Sequence, residues 1–180
     1  MNLISHIPAG RALNALVRLL AELAVGQGVT LPDPWPYIAE QAARAGPSEL
    51  RANIAFFASS CGDRGGFWEL REPNMTVGHL FRAAFENMAE NYDACARRLA
   101  PDQPWSRLVF SGGLAQKIPA LREIICQRFQ AGYRMCPSSE DTLLGLLALA
   151  LAFSRRTRTV EEAVVLLQQN YREEGGGIRL

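Results

Sequence analysis

Apolar residues recur every three or four positions along much of this chain, a period typical of amphipathic helices. This spacing predicts helices over residues 11–25, 76–99 and 119–129. The helix over 76–99 is the longest, with Asn74 or Thr76 as its cap, and its wide apolar face has to be buried. Asp33 and Pro34 predict a short helix to about residue 45, with the aspartate as its cap and the proline in its first turn.

Two more helices are predicted near the end of the chain. One covers residues 142–154, capped by the polar segment 138–141, and its run 143–153 is almost wholly apolar. That run is too short to span a bilayer, which favours a buried helix. Thr159 and Glu162 form a capping box for the last helix, to about residue 171. The intervening basic residues Arg155, Arg156 and Arg158 are expected in solvent, where they complement a helix dipole.

Between the helices lie short stretches with strand propensity. Strands are predicted over residues 107–111 and 133–136, and a two-stranded excursion is predicted over 53–58 and around 67–70. From residue 74 onward the order is helix, strand, helix, strand, helix, which predicts parallel strands with right-handed crossovers. The pattern therefore indicates an α/β class.

The segment from Leu108 to Pro119 carries most of the functional signal. Its apolar start reads as a buried strand, Gly112 and Gly113 form a turn, and a helix follows from Pro119. Glycines at a strand-to-helix junction allow a ligand close to the main chain, which suits a nucleotide. An ordinary tight turn explains the same residues, so both interpretations stay open.

Composition limits the class of protein but does not indicate a function. The chain has 180 residues, of which 48% are hydrophobic and 21% charged, and this predicts a single domain over 1–172 with a flexible glycine-rich tail over 173–180. A net charge of +1 favours neither nucleic acid nor an acidic membrane as a partner. The four cysteines lack metal-type spacing and no secretory signal opens the chain, so we expect reduced thiols in a cytoplasmic protein without a transmembrane segment.

Several catalytic motifs are missing from the sequence. It contains neither the G-x-x-x-x-G-K-[ST] phosphate loop nor a G-x-G-x-x-G dinucleotide fingerprint. His6 and His79 have no metal-type partner and are expected to make local hydrogen bonds. The segment 61–64, Cys-Gly-Asp-Arg, suits either a nucleophilic cysteine or a carboxylate beside an arginine, but no partner base is evident, which favours a salt-bridged turn.

Two segments together resemble a known family. They are Ser111-Gly112-Gly113-Leu114-Ala115-Gln116-Lys117-Ile118-Pro119-Ala120-Leu121 and Ser139-Glu140-Asp141-Thr142-Leu143-Leu144-Gly145-Leu146-Leu147-Ala148-Leu149-Ala150. Both look like the C-terminal lobe of the FGGY carbohydrate kinases, with sedoheptulokinase-like members most similar, in the actin-like ATPase superfamily. Weaker matches in the same order lie at residues 6–14, 61–64 and 80–86. The resemblance covers residues 3 to about 170.

The resemblance implies a fold and a ligand. The fold would be part of an RNase H-like lobe, helix-rich with a small, incomplete sheet, and the ligand would be ATP or ADP with magnesium. Nucleotide contacts are implied for six residues: Ser111, Gly112, Gly113, Leu114, Lys117 and Gly145. Gly112 and Gly113 would lie against the adenosine and inner phosphates, Leu114 against the base and Lys117 near the adenine edge. Gly145 would allow close helix approach behind the nucleotide.

The same resemblance implies that the chemistry lies elsewhere. In this family the Asp-x-Gly-Thr phosphate loop, the sugar pocket and the catalytic aspartate belong to the N-terminal lobe, and none of these motifs occurs here. We therefore expect no catalytic residue and no metal ligand in this chain, and sugar binding only together with that lobe. Either a second copy or a partner chain would then cover the apolar face over 76–99, or the chain would be an unstable fragment. The alternative is a non-catalytic fragment or interaction module.

Overall fold

Helices form most of the structure, and short strands accompany them. The computed structural model describes residues 3–102, 105–136 and 141–173. Within these residues the elements are, in order, α1 (Gly10–Gly26), α2 (Trp35–Arg44), β1 (Arg51–Asn53), β2 (Gly66–Trp68), α3 (Val77–Leu99), β3 (Arg107–Phe110), α4 (Gly113–Lys117), α5 (Pro119–Phe129), β4 (Gly132–Met135), α6 (Asp141–Phe153) and α7 (Val160–Glu173), with a 3-10 turn at Glu72–Asn74. The predicted α/β, helix-rich class with a small amount of sheet is confirmed.

The strands form two separate two-stranded sheets, β1 with β2 and β3 with β4. The chain also divides into two compact units. The first unit contains the described residues of Met1–Leu108 and Ile118–Gly132, and the second contains those of Val109–Lys117 and Tyr133–Leu180. Among the described residues, no helix combines the length and the apolar character that crossing a bilayer requires.

The core of the first unit is built around α3. Helices α2 and α5 and strand β1 pack against it, as its wide apolar face predicts. Phe81, Phe85 and Met88 are buried on that face, and the ring of Phe81 lies 6.0 Å from that of Trp35 on α2 and 6.1 Å from that of Phe85. The expectation that a second chain covers the apolar face of α3 is therefore wrong, because α2, α5 and β1 of its own unit cover that face.

A buried carboxylate also joins α3 to α5. Asp93 accepts from Arg97 Nε at 3.0 Å on its own helix and from Arg128 Nε at 3.1 Å on α5. Its side chain is only 9% exposed, so the two guanidinium groups compensate a charge that burial would otherwise penalise. The bond from Arg128 links α5 to α3, while the bond from Arg97 lies within α3.

The excursion after α2 differs from its predicted boundaries. Strands β1 and β2 are antiparallel, with Arg51 opposite Trp68 and Asn53 opposite Gly66, whereas the sequence predicts strands over 53–58 and 67–70. Ile54 leaves the ladder because its buried N–H donates to Asn87 Oδ1 on α3, at 3.0 Å. Ile54 and Ala55 are therefore buried after the end of the strand instead of extending it.

Replacement of Asn87 by alanine should lower the free energy of unfolding by about 1–2 kcal/mol, because it leaves the buried N–H of Ile54 without an acceptor. Chemical denaturation measures this change. Asn91→Ala is the matched control: it removes a neighbouring donor to the same Oδ1 but keeps the bond to Ile54. Equal losses in the two variants would contradict the assigned role of Asn87.

The helix ends follow the predicted caps in most places. Thr76 Oγ1 accepts from the N–H of His79 at 3.2 Å, and α5 begins at Pro119 as predicted. Two details differ. Pro34 stands at the cap position before α2, with the Asp33 carboxylate accepting from the N–H of Trp35. At α7 only half of the predicted box forms, since Glu162 N–H donates to Thr159 Oγ1 while the Glu162 carboxylate accepts from Arg158 N–H. The predicted cap at 138–140 lies outside the described residues.

In the second unit the sheet is held near the end of β3. The Cys136 N–H donates to the carbonyl oxygen of Phe110 at 2.8 Å, and the rings of Phe110 and Tyr133 meet edge to face at 5.5 Å. Helix α6 packs against α7. The prediction that α6 is a buried helix is wrong, because most of its large apolar side chains are exposed in the part of the chain that the structure describes. Ala148 is buried, whereas Leu143, Leu146 and Phe153 are 61%, 56% and 84% exposed.

Candidate nucleotide site

The glycine turn lies where the sequence predicts it, between a strand and a helix. Strand β3 ends at Phe110, and Gly112 adopts a φ of +83°, a conformation that residues with a Cβ rarely take. The Gly112 carbonyl oxygen then accepts from the N–H of Gln116 at 3.4 Å. The predicted strand, turn and helix order is confirmed, with the strand one residue shorter than expected.

Helix α4 was not predicted as a separate element. It covers only Gly113–Lys117, and α5 starts two residues later at Pro119. Ile118 between them has an extended backbone, φ −118° and ψ 91°, because a residue that precedes proline avoids the helical region. The turn therefore leads into two short consecutive helices instead of one.

The predicted contact residues on the turn differ in exposure. Ser111, Gly113 and Lys117 are exposed, while Gly112 and Leu114 are half-buried. A Cβ atom placed on Gly112 or Gly113 would meet no atom within 4 Å. Main chain and side chains of this turn thus present an open surface that a ligand can approach, with one cation at its end. Five of the six predicted nucleotide contacts lie together here.

Gly145 lies apart from that turn in the chain, in the middle of α6. It is exposed, and a Cβ atom added there would meet nothing within 4 Å. The space beside Gly145 is therefore open, and a close helix approach there stays a prediction. Its contact with a nucleotide stays a prediction.

The other candidate residues have local roles. The predicted local bonds of the histidines are confirmed: His6 Nδ1 lies 3.0 Å from Ser5 Oγ, and His79 Nδ1 lies 2.8 Å from Thr76 Oγ1. Within the described part of the chain, no three histidine, cysteine or carboxylate side chains are grouped as metal ligands would be.

The turn at Cys61 differs from the prediction. Hydrogen bonds between the main chains of Ser59 and Gly62 close it, and Asp63 and Arg64, both described and exposed, form no ion pair with each other. The salt-bridged turn is therefore wrong. The Sγ atom of Cys61 instead lies 3.9 Å from that of Cys95 on α3, and burial raises the pKa of the Cys61 thiol.

Sequence reasoning missed this cysteine pair. The one available signal was the place of Cys95 on the apolar face of the long helix. The sequence pattern does not indicate that the turn at residues 59–62 lies against α3, because Cys61 and Cys95 are 34 positions apart in the chain.

Comparison of the chain with models of known protein families and with curated protein sequences gives no match.

Proposed function

We propose that this chain is the nucleotide-side lobe of an ATP-dependent sugar kinase, similar to the C-terminal lobe of the FGGY carbohydrate kinases and with part of the RNase H-like fold of actin-like ATPases. One observation carries the proposal. Gly112, at a φ of +83°, forms the junction between β3 and α4 in the segment whose residues resemble that lobe. A strand, a glycine turn and a helix in this order suit a nucleotide whose phosphates lie close to the main chain.

In this proposal the turn holds ATP or ADP through its main chain. Gly112 and Gly113 lie against the adenosine and inner phosphates, and their lack of side chains leaves room for them. Leu114 contacts the base and Lys117 lies at the adenine edge, where its exposed ammonium group also offsets the charge of the ligand. Gly145 on α6 is also included among the proposed nucleotide contacts.

The kinase reaction needs groups that this sequence does not carry. Transfer of the γ-phosphate requires a sugar hydroxyl in line, magnesium across the phosphates and a carboxylate to accept the hydroxyl proton. We place these groups, including the magnesium ligands and the sugar pocket, on a second lobe. The chain alone then binds nucleotide without phosphorylating a ketose such as sedoheptulose.

A second candidate function is a non-catalytic interaction module. The exposed apolar surface of the second unit favours it, since large patches of this kind mark sites of association. The residues of α6 and α7 that form this surface are Leu143, Leu146, Leu147, Leu149, Phe153, Val160, Val164, Val165 and Leu166. In this case a second copy or a partner chain is the ligand.

Gly113→Asp separates the two candidates. The open space at Gly113 accepts the aspartate without a clash, and its charge repels phosphate, so we expect nucleotide affinity to fall at least about tenfold, or 1.4 kcal/mol. Isothermal titration of the full chain with magnesium and ATP measures this.

Gly132→Asp is the matched control, because Gly132 is also exposed and open but lies at the start of β4. The control should bind as the unmodified chain does. An unmodified chain that gives no heat at millimolar ATP, or a Gly113→Asp variant that binds equally well, would remove the basis for the nucleotide proposal and leave the interaction module.

A further inference from the structure

Two thiols in the first unit lie close enough to react with each other. Cys61 is on the tight turn before β2, Cys95 is on the last third of α3, and their sulfur atoms are 3.9 Å apart. Cys61 is half-buried, and Cys95 is buried with 3% of its surface exposed. The pair therefore has one thiol that a reagent can reach and one held behind it.

We propose that Cys61 and Cys95 form a redox-active dithiol, which small-molecule disulfides of the glutathione class oxidise to an intramolecular disulfide. The proposal concerns a modification site separate from the nucleotide turn and does not depend on the proposed function.

The surrounding contacts hold the Cys61 turn over α3. The Ser59 N–H donates to the Gly62 carbonyl oxygen at 2.9 Å, and the Ser60 N–H donates to that of His6 at 3.3 Å. From α3, Arg98 Nη1 donates to the Ser60 carbonyl oxygen at 3.1 Å. A disulfide bond needs sulfur atoms about 2.05 Å apart, so the two side chains have to rotate to bring their sulfur atoms closer than the observed 3.9 Å.

The reaction balances as two thiol–disulfide exchanges. The Cys61 thiolate attacks one sulfur of the reagent RSSR, so a mixed disulfide forms and one RS⁻ leaves. The Cys95 thiolate then attacks the sulfur of Cys61, and the second RS⁻ leaves. The two cysteines lose two protons and two electrons, and RSSR takes up both to give two RSH.

The disulfide product links the surface turn at Cys61 covalently to helix α3. The two cysteines are 34 positions apart, so the new bond closes a loop that restricts the unfolded chain. We expect the oxidised protein to melt about 5–15 °C above the reduced protein, and dithiothreitol to reverse the shift.

The test is to equilibrate the full chain with glutathione disulfide, block remaining thiols with iodoacetamide and map the peptides by mass spectrometry. The expected product is a peptide pair linked through Cys61 and Cys95, with the melting shift described above. A variant with both Cys126→Ser and Cys136→Ser should behave in the same way, while Cys61→Ser should show no shift on oxidation.

Three results would overturn the proposal. These are alkylation of both Cys61 and Cys95 after oxidation, glutathione retained on Cys61 as a stable mixed disulfide, or a link from either of them to Cys126 or Cys136. Because the peptide map is made on the unmodified protein, it decides the question even where a variant fails to fold.

Discussion

Replacement of Phe81 by alanine should lower the free energy of unfolding by about 3–5 kcal/mol. The ring is fully buried at the centre of the first unit, where it contacts Trp35 on α2 edge to face and lies against Phe85 on its own helix. Alanine forfeits the burial of the ring and leaves a cavity between α2 and α3. Since domains are stable by only about 5–15 kcal/mol, this single change removes a large part of the margin.

Urea denaturation followed by circular dichroism measures the effect of Phe81→Ala. Leu146→Ala is the control from the second unit, because that leucine is 56% exposed on α6. The control should change the free energy of unfolding by less than about 0.5 kcal/mol. A loss at Leu146 as large as the loss at Phe81 would mean that the apolar side of α6 is buried in solution, contrary to the structure.

The second large effect is expected at Gly78, near the start of α3. A Cβ atom there would lie 2.6 Å from the carbonyl oxygen of Gln41 on α2 and 3.0 Å from its carbonyl carbon. These are backbone atoms of a helix, so they cannot rotate away as a side chain would. Gly78→Ala should therefore push α2 from α3 and cost about 3 kcal/mol, at the upper end for overpacked cores.

Gly145→Ala is a matched control for Gly78→Ala, because both glycines lie within helices and only one is crowded. Nothing lies within 4 Å of a Cβ at Gly145, so alanine should stabilise α6 by about 0.5–1 kcal/mol through its higher helix propensity. Thermal melting of the two variants compares them directly. A stabilising effect at Gly78 would contradict the close approach of α2 to α3.

The helices were predictable because their signals are local. The apolar period of α3 and α5, the cap at Thr76 and the first-turn proline Pro119 lie within a few residues of the elements they define. Strand β1 was misplaced because its end depends on the bond from Ile54 to Asn87, a contact that no local pattern contains.

Burial was harder to predict than helix formation. The leucine-rich composition of α6 indicates that exposure of its surface to water is unfavourable. Composition does not indicate which element of the fold covers that surface. In contrast, α3 was expected to lack cover and is enclosed by α2, α5 and β1. An apolar pattern thus identifies surfaces that require partners without identifying those partners.

The candidate site was predictable in its backbone and less so in its details. The positive φ of Gly112 follows from the need for a turn after β3, and only glycine adopts it readily. The extra break at Ile118 and the open surroundings of Gly145 depend on how the following chain packs. The contacts of Leu114 and Lys117 with a base come from the family resemblance alone and stay predictions.

Nuclear magnetic resonance of the full chain, labelled with nitrogen-15 and titrated with magnesium and ATP, tests the nucleotide proposal most directly. We expect the largest amide shifts at Gly112, Gly113 and their neighbours through Lys117. Gly132→Asp should leave these shifts unchanged, while Gly113→Asp should require at least about tenfold more ATP to produce them. The nucleotide proposal would be contradicted if saturating ATP shifted no amide in this turn, or if the shifts centred on another part of the chain.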